Sequence, residues 1–346
     1  MSGVMTLTIG ADEGEQRLDR WFKKRFPQLT QGAVEKMCRT GQVRVDGARC
    51  KAADRVVAGQ VVRVPPLPDT AAPAPRQSRI SAADEKMIQD AVLWKDEHII
   101  ILNKPAGLPS QGGSGQGERH VDGLTEALKY GYKDKPKLVH RLDKDTSGLL
   151  MLARTDRVAR GLSESLRHHL TRKIYWAAVA GVPNPRKGSI KYGLMKAPGG
   201  GRGEGEKMIA IHPAKMGDYP DAKRAQTDFF TLWFLGARLS WMALEPITGR
   251  THQLRAHMAE MGHPILGDGK YGGSDTDNMG DGWGAGIGGD ISRKLHLHAR
   301  MLRFEHPITK EMMTFTAPLP DHMARTWKTL DWGVNDVPLD PFRGEV

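Results

Sequence analysis

A proline-rich stretch at residues 65–79 (PPLPDTAAPAPRQSR) limits what this chain can fold into more than any other feature of its sequence. It contains five prolines and almost no large apolar side chain. Proline lacks the backbone N–H that helices and sheets need, and the stretch offers too little apolar surface to build a core. We therefore predict two folding units, at 15–65 and 86–325, joined by a linker at 66–85 and followed by a C-terminal tail at 326–346.

The composition favours a globular protein with a polyanionic partner. The chain has 346 residues, of which 39% are hydrophobic, and a formal net charge of +11. Its first 80 residues hold 14 Lys and Arg against 8 Asp and Glu, so more than half of the net positive charge lies there. Clustered cations gain affinity for nucleic acid by releasing counterions from phosphates. We therefore expect the first unit to contact a polyanion.

Three further features point to a cytoplasmic protein. Only two cysteines occur, Cys38 and Cys50, which are too few for a disulfide framework. No stretch approaches the roughly 20 apolar residues that span a bilayer. Residues 1–14 lack the apolar segment of a secretory signal. We expect a monomer in the cytoplasm with no membrane contact.

The first unit has the pattern of a small α/β module. Apolar residues recur at helical spacing over 16–26, and a second helix is predicted over 30–41, from a capping threonine to a glycine. Residues 43–64 have the pattern of short strands around an Asp-Gly turn. Its cations taken singly are ordinary surface charges. As a set we interpret them as RNA contacts: Lys23, Lys24, Arg25, Lys36, Arg39, Arg44, Arg49 and Lys51.

The second unit mixes strands and helices without a repeating βαβ order. Short apolar runs predict buried strands at 99–102, 149–153, 174–179 and 239–244. Helices are predicted over 251–261 and after Thr155, where one apolar face would hold Val158, Leu162, Leu166 and Leu170. This irregular order favours an α+β fold with a mixed or antiparallel sheet. Two glycine-rich stretches, 198–205 and 272–289, are predicted loops.

Polar groups concentrate just before the predicted strand at 149–153, in the run HRLDKDTSG at 140–148. A carboxylate on a loop that a sheet holds rigid can serve as a nucleophile or a general base. The same residue types are common in turns, where their side chains satisfy backbone donors. Spacing alone leaves both interpretations open, and the turn is the more frequent of the two.

The sequence HRLDKDTSG at 140–148 resembles the signature of the RluA-type family of RNA pseudouridine synthases. Four more stretches are similar to motifs of that family and occur in its order: ILNKPAGL at 101–108, KIY at 173–175, TGRTHQLRAH at 248–257 with GHPILGD at 262–268, and LHA at 297–299. The resemblance covers about 90–320 and is greatest to the RluC/RluD branch, which acts on large-subunit ribosomal RNA. It implies isomerisation of uridine to pseudouridine in ribosomal RNA without a metal or a cofactor.

The resemblance implies a role for four residues. Asp143 corresponds to the catalytic aspartate, which either attacks C1′ of the target uridine or removes its C2′ proton. Arg255 corresponds to the arginine that pairs with this aspartate and orients it. Tyr175 matches the tyrosine that stacks on the uracil, and it is a candidate to help remove the C5 proton. Arg141 matches the arginine that enters the RNA helix where the extruded nucleotide has left.

Residues 15–65 resemble the S4-like RNA-binding module, through the stretches RLDRWFKKRF and CRTGQVRVDGARC. That resemblance implies docking on structured RNA rather than the reading of a base sequence. The charged residues of the predicted RNA contacts fall within these stretches or close to them. The resemblance therefore implies that the polyanionic partner of the first unit is folded RNA.

Three alternatives remain for comparison. A non-catalytic RNA-binding or ribosome-assembly factor needs the first unit but not the set Asp143, Tyr175 and Arg255. A phosphate-binding hydrolase would use the glycines at 199–205, but no Lys-Ser/Thr follows them as in a P-loop. A metal site would use histidines that do not have a familiar ligand spacing, so we predict that these hydrogen-bond inside the fold: His252, His257, His263, His296 and His298.

Overall fold

The chain divides into two compact units, Met1–Arg79 and Ile80–Val346. The computed structural model describes residues 3–11, 13–67, 80–112, 119–168, 170–198, 207–272 and 291–343. Most of the predicted linker and nearly all of both predicted glycine-rich loops lie outside these described residues. Each unit has its own hydrophobic core and is described separately below.

The first unit is a small α/β module, as predicted. It contains β1 (Met5–Thr8), β2 (Gln16–Arg17), α1 (Leu18–Arg25), α2 (Gln31–Arg39), β3 (Arg44–Val45), β4 (Ala48–Arg49), β5 (Arg55–Val56) and β6 (Val61–Val64). Four strands form an antiparallel sheet in the order β1-β6-β3-β4, and β2 pairs with β5. The two helices contact each other, and their apolar side chains join those of the strands in one core.

Local chemistry explains where these elements begin and turn. The Thr30 hydroxyl accepts a hydrogen bond from the Ala33 N–H at 3.2 Å and caps α2. Asp46 and Gly47 both have positive φ, 49° and 79°, which is the geometry of the tight hairpin turn that joins β3 to β4. On α1, Trp21 is fully buried in the core of this unit.

The second unit is built around one large sheet. Its strands are β7 (Val92–Lys95), β8 (Ile99–Lys104), β9 (Lys137–Leu138), β10 (Ser147–Ala153), β11 (Arg172–Ala180), β12 (Lys187–Lys196), β13 (Met208–Ile211), β14 (Lys223–Leu235), β15 (Leu239–Pro246), β16 (Leu297–Glu305) and β17 (Met312–Thr316). Its α-helices are α3 (Ala82–Asp90), α4 (Val121–Leu124), α5 (Asp156–Arg167), α6 (Gln253–Glu260) and α7 (Asp321–Thr329). Short 3₁₀ helices cover Thr125–Leu128 and Pro213–Asp218.

The eleven strands follow the order β13-β12-β14-β15-β11-β16-β10-β8-β7, with β17 paired to β16 and β9 to β10. Every pairing is antiparallel except that of β10 with β16. Side chains alternate along β11, so that Tyr175 belongs to the core on one side of the sheet and Trp176 to the core on the other. The predicted α+β fold with a mixed sheet is confirmed.

The parallel contact between β10 and β16 is short and depends on a glycine. Only Ser147 and Gly148 pair with β16, opposite His298 and Ala299. Gly148 has φ +107°, and a Cβ at this position would lie 2.3 Å from the Ala299 carbonyl oxygen. Glycine is therefore required for the strands to approach. The contact fixes the end of the HRLDKDTSG run against the middle of the sheet.

Two predictions differ from the structure. The predicted tail at 326–346 is wrong for the described residues, because Trp327 and Trp332 are buried in the core of the second unit and pack on Trp241 with ring centroids 5.4 and 5.9 Å away. Large aromatic side chains of this kind are far more stable in a core than in water. The helix after Thr155 ends at Arg167, and Leu170 is 66% exposed rather than on its apolar face.

In the part of the chain that the structure describes, no helix combines the length and the apolar character needed to cross a membrane.

Candidate active site

A cleft of about 620 Å³ opens on the second unit where β10, β11 and β16 meet. Its lining brings together Arg141, Asp143, Tyr175 and Arg255, which come from three separate stretches of the sequence. The charged side chains of its described lining are Arg141, Asp143, Lys144, Lys173, Arg250 and Arg255. A single carboxylate among five cations makes this lining strongly positive, which suits an anionic substrate.

A buried lysine holds the loop that carries Asp143. Lys104, at the end of β8, is fully buried, and its ammonium donates to the carbonyl oxygens of Pro105, Leu108 and Lys144 at 2.9, 2.8 and 3.0 Å. Burial lowers the pKa of Lys104 to about 7, while the carboxylates of Asp145 and Asp143 act in the opposite direction. Three carbonyl acceptors also favour the protonated form. The lysine thereby ties the turn after β8 to the loop that carries Asp143.

Side-chain hydrogen bonds fix the loop at both ends. The Ser110 hydroxyl donates to the Leu142 carbonyl at 2.7 Å and accepts from the Leu142 N–H at 3.0 Å. At the other end, Ser147 Oγ lies 2.9 Å from His298 Nδ1, and His298 Nε2 lies 3.2 Å from the Ala317 carbonyl. A carbonyl can only accept, so Nε2 carries the imidazole proton and Nδ1 accepts from Ser147. The backbone around Asp143 is therefore held before any substrate binds.

Asp143 is partly open to the cleft, with 27% of its side chain exposed. One of its oxygens lies 3.9 Å from Arg255 Nη1, which is an ion pair but longer than a hydrogen bond. The Asp143 carbonyl accepts from the Thr146 N–H at 3.2 Å and closes a turn within the loop. The backbone of Asp143 thus forms a turn, as the spacing of the sequence favoured, and the residue also lines the cleft.

Arg255 makes its shortest contacts with a residue that the sequence analysis did not single out. Its Nε and Nη2 each donate to Asp268, both at 2.7 Å. Asp268 is 1% exposed, and Arg255 lies on the buried face of α6. Burial acts to lower the pKa of Arg255, but the hydrogen bonds and charge of Asp268 outweigh it and raise that pKa. Arg255 is therefore fixed as a cation beside Asp143.

Tyr175 stands in the floor of the cleft near the start of β11. Its pairing with Ala299 of β16 follows a register shift between Ile174 and Tyr175, and 8% of the residue is exposed. Burial, and to a lesser extent the charge of Asp143, raises the pKa of Tyr175. The side chain is therefore a protonated phenol at neutral pH.

The turn into α6 adds two aromatic residues around Arg255. His252 precedes the helix with φ +51°, an unusual conformation for a residue with a side chain. Its Nδ1 lies 2.9 Å from the Tyr271 hydroxyl, and the Tyr271 ring centroid is 5.2 Å from the Arg255 guanidinium carbon. Gln253 anchors the same turn by accepting from Thr248 and from the Arg250 N–H. His252 and its neighbours thus form one wall of the cleft.

Two matches with known families cover both units. Residues 98–260 match the family described as RNA pseudouridylate synthase, and residues 16–62 match the S4 domain. "Ribosomal large subunit pseudouridine synthase C" of Escherichia coli O157:H7 is 33% identical over 334 residues, which cover 94% of this chain and 97% of that protein. The chain belongs to the RNA pseudouridylate synthase family.

Further members of this family resemble the chain over most of its length. The protein of the same description from Yersinia pestis is 35% identical over 324 residues, covering 92% of this chain and 93% of that protein. The structure of "Human RNA Pseudouridylate Synthase Domain Containing 4" is 26% identical and superposes with a TM-score of 0.55, covering 71% of this chain and 95% of that one. The predicted family is therefore confirmed, and the chain is an RNA pseudouridine synthase with an S4 domain.

In this pseudouridine synthase the predicted RNA contacts of the S4 domain all lie on the surface: Lys23, Lys24, Arg25, Lys36, Arg39, Arg44, Arg49 and Lys51. Arg39, Arg49 and Lys51 line one hollow together with Arg17, and the carboxylates Glu35 and Asp54 also lie in its lining. Arg25 differs from the rest, because its guanidinium lies 3.0 Å from the Glu13 carboxylate. Part of its charge is therefore already paired.

The five histidines weighed as metal ligands in the sequence make hydrogen bonds inside the second unit. His257 Nδ1 lies 2.9 Å from Thr227 Oγ1, and His296 Nε2 lies 2.8 Å from Thr326 Oγ1. Within the described ranges, no three His, Cys, Asp or Glu side chains form a group that could hold a metal ion.

Proposed function

We propose that this pseudouridine synthase isomerises specific uridines in large-subunit ribosomal RNA and uses Asp143 as its catalytic carboxylate. The observation that supports this most is the cleft, in which Asp143, Tyr175 and Arg255 meet with four further cations. The substrate class rests on the relatives, whose printed names specify the large ribosomal subunit and which match over more than nine tenths of this chain. A cytoplasmic, monomeric enzyme fits that substrate.

The first step is the extrusion of the target uridine from its stack. Chemistry on a base within an RNA helix requires the nucleotide to leave it, at a cost of a few kcal/mol. In this proposal the cations of the cleft bind the flanking phosphates, and Arg141, which is exposed, occupies the gap in the RNA. This arrangement lets backbone contacts offset the loss of base stacking.

The second step breaks the N1–C1′ bond. An ionised Asp143 either attacks C1′ to give a covalent ester or takes the C2′ proton to give a glycal. Both routes need a carboxylate with a free oxygen, and Asp143 is partly exposed with Arg255 Nη1 3.9 Å away. Arg255 keeps the carboxylate oriented and charged without covering it.

The third step turns the uracil and joins C5 to C1′. Tyr175 offers a rigid ring on which the detached base can stack while it rotates. The C5 proton then leaves and N1 gains one, so that the atoms of substrate and product balance without a redox change. Because the phenol of Tyr175 is protonated, it can accept the C5 proton only if it passes its own proton on.

Residues 15–65 serve in this proposal as the domain that docks on folded ribosomal RNA. The eight exposed cations of the predicted RNA contacts supply affinity that depends on charge rather than on base sequence. The catalytic domain, proposed at 86–325 and extended by the buried aromatic residues after it, supplies the chemistry.

A genetic experiment tests the function. Pseudouridines are mapped across ribosomal RNA from a strain that lacks this protein and from strains complemented with wild type or Asp143→Asn. We expect at least one large-subunit position to lose its modification and to regain it only with wild type. An unchanged map contradicts the proposed substrate. Restoration by Asp143→Asn would support the non-catalytic RNA-binding factor instead.

A further inference from the structure

The guanidinium of Arg255 is divided unequally between two carboxylates. Its Nε and Nη2 donate to the two oxygens of Asp268, each at 2.7 Å. Its Nη1 is the atom nearest to Asp143, at 3.9 Å. Paired N–H donors that match a carboxylate are the strongest form of this interaction, so Asp268 rather than Asp143 determines where Arg255 lies.

Asp268 is itself held in place by the backbone. Its Oδ1 also accepts from the N–H groups of Lys270 and Tyr271, at 3.1 and 3.2 Å. The preceding residue, Gly267, has φ +70°, and a Cβ there would lie 2.2 Å from the Lys294 carbonyl oxygen. Close packing of the backbone therefore fixes this carboxylate, and Arg255 has no room to carry it toward Asp143.

The two hydrogen bonds from Arg255 to Asp268 limit how Arg255 can contact Asp143. An arginine without another partner would form a short, bidentate pair with the nearest carboxylate and would occupy both of its oxygens. A carboxylate bound in that way is a weaker nucleophile and a weaker base. With Nε and Nη2 held by Asp268, Arg255 can present only one edge to Asp143.

We propose that Asp268 is a positioning residue of this active site, which holds Arg255 back from Asp143 so that the catalytic carboxylate is oriented yet free to react. The inference rests on the proposed role of Asp143. It adds a third member to the pair, on the loop between α6 and β16. The Tyr271 ring beside the guanidinium limits the remaining motion of Arg255.

The test replaces Asp268 by its neutral isostere. In Asp268→Asn the amide cannot hold both donors as an anion does, and Arg255 turns toward Asp143. We expect kcat on large-subunit ribosomal RNA to fall by about 10- to 100-fold, with KM changed by no more than about twofold. The acid limb of the kcat profile moves to lower pH, because a negative charge near Asp143 has been removed.

Glu245→Gln is the matched control. Glu245 accepts two hydrogen bonds from Arg172, at 2.8 and 2.6 Å, and this buried pair lies outside the lining of the cleft. The same chemical change there should lower the melting temperature but leave kcat and its pH profile as in wild type. If both variants lose activity only in proportion to their stability, Asp268 is structural and the inference is overturned.

A double variant separates an effect through Arg255 from an independent one. If Asp268 acts through Arg255, adding Asp268→Asn to Arg255→Gln costs no further activity, whereas additive losses overturn the inference. Should Asp268→Asn not fold, Asp268→Glu keeps the charge and moves the guanidinium. A lower kcat with an unshifted acid limb then supports the inference, and wild-type kinetics overturn it.

The same measurements distinguish this inference from the proposed function. If wild type forms no pseudouridine, or if Asp143→Asn is as active as wild type, the proposed function fails. If those two results are as proposed but Asp268→Asn has wild-type kcat and pH profile, only the positioning role fails.

Discussion

Tyr175 is a protonated phenol at neutral pH, because burial and, to a lesser extent, the nearby Asp143 carboxylate raise its pKa. Its ring and its hydroxyl can therefore have separable roles. In the proposed mechanism the ring supplies a stacking surface that does not depend on pH. The hydroxyl can move a proton only in a relay, in which it gives up its own as it accepts another.

We expect Tyr175→Phe to lower kcat by about 100-fold or more while KM changes little, since general acid–base groups contribute factors of that size. Tyr175→Leu also loses the stacking ring, so its KM should rise as well. Steady-state kinetics on ribosomal RNA check both. Tyr192→Phe, a partly buried tyrosine outside the cleft lining, should match wild type. Equal kinetics for Tyr175→Phe and wild type would exclude a proton-transfer role.

The sequence allowed a prediction of some site residues but not of others. Asp143, Tyr175 and Arg255 stand in recognisable motifs, and the structure brings them to one cleft. Lys104 and Asp268 also lie in stretches that resemble family motifs. The sequence pattern does not show, however, that Lys104 is fully buried and donates hydrogen bonds to three carbonyl oxygens. Contacts of this kind depend on how distant loops pack, which local spacing does not encode.

At the scale of elements, the pairing of β10 with β16 holds the loop that carries Asp143. His298 links them in its neutral form, because Nε2 donates to the Ala317 carbonyl and Nδ1 accepts from Ser147. Burial lowers the pKa of His298 to about 3. A second proton on the ring would break the bond to Ser147, so the folded state resists protonation.

Because His298 resists protonation in the folded state, we predict that the stability of the fold depends on pH. Below about pH 6.5 the unfolded chain binds a proton at His298 that the folded chain does not, so stability falls as pH falls, until about pH 3. The advantage of wild type over His298→Gln in unfolding free energy should therefore shrink by about 2 kcal/mol from pH 7 to pH 5. Urea denaturation at both pH values measures it. The exposed His168→Gln serves as control, and a constant difference for His298→Gln would contradict the account.

Element prediction succeeded where apolar residues were contiguous and failed where the pattern was weaker. The strands at β8, β10, β11 and β15 carry long apolar runs and were predicted. β14 was not predicted, although its buried Ala225, Thr227, Phe229 and Thr231 alternate with less buried neighbours. Because Ala225, Thr227 and Thr231 are small or carry a hydroxyl group, the alternation of buried and less buried positions does not appear as an alternation of large apolar and polar residues. The order of the strands depends on long-range pairing and could not be derived from local patterns.

At the scale of the whole molecule, the chain forms two units with separate cores, and we propose that one binds RNA and the other carries out the chemistry. The S4 domain holds a hollow lined by Arg39, Arg49 and Lys51, and the second unit holds the cleft with Asp143. A partner as large as ribosomal RNA can contact both surfaces. Removal of cations from the first should then weaken binding without altering the chemical step.

We expect the triple variant Arg39→Ala, Arg49→Ala, Lys51→Ala to bind ribosomal RNA about tenfold or more weakly at physiological salt. The slope of log affinity against log salt should become shallower by about 0.7 to 0.9 for each phosphate that the variant no longer neutralises. Its kcat should stay at the wild-type value. Lys86→Ala with Lys310→Ala, two lysines already paired with carboxylates, is the control. An unchanged slope in the triple variant would contradict docking through this hollow.

The most direct test of the account is whether pseudouridine formation depends on Asp143. Large-subunit ribosomal RNA labelled with tritium at C5 of uridine releases the label when C5 joins C1′. We predict no release with Asp143→Asn, RNA affinity within about threefold of wild type, and wild-type release with Asp145→Asn, its neighbour in the same loop, as the control. Release by Asp143→Asn at a rate comparable to wild type would contradict the account.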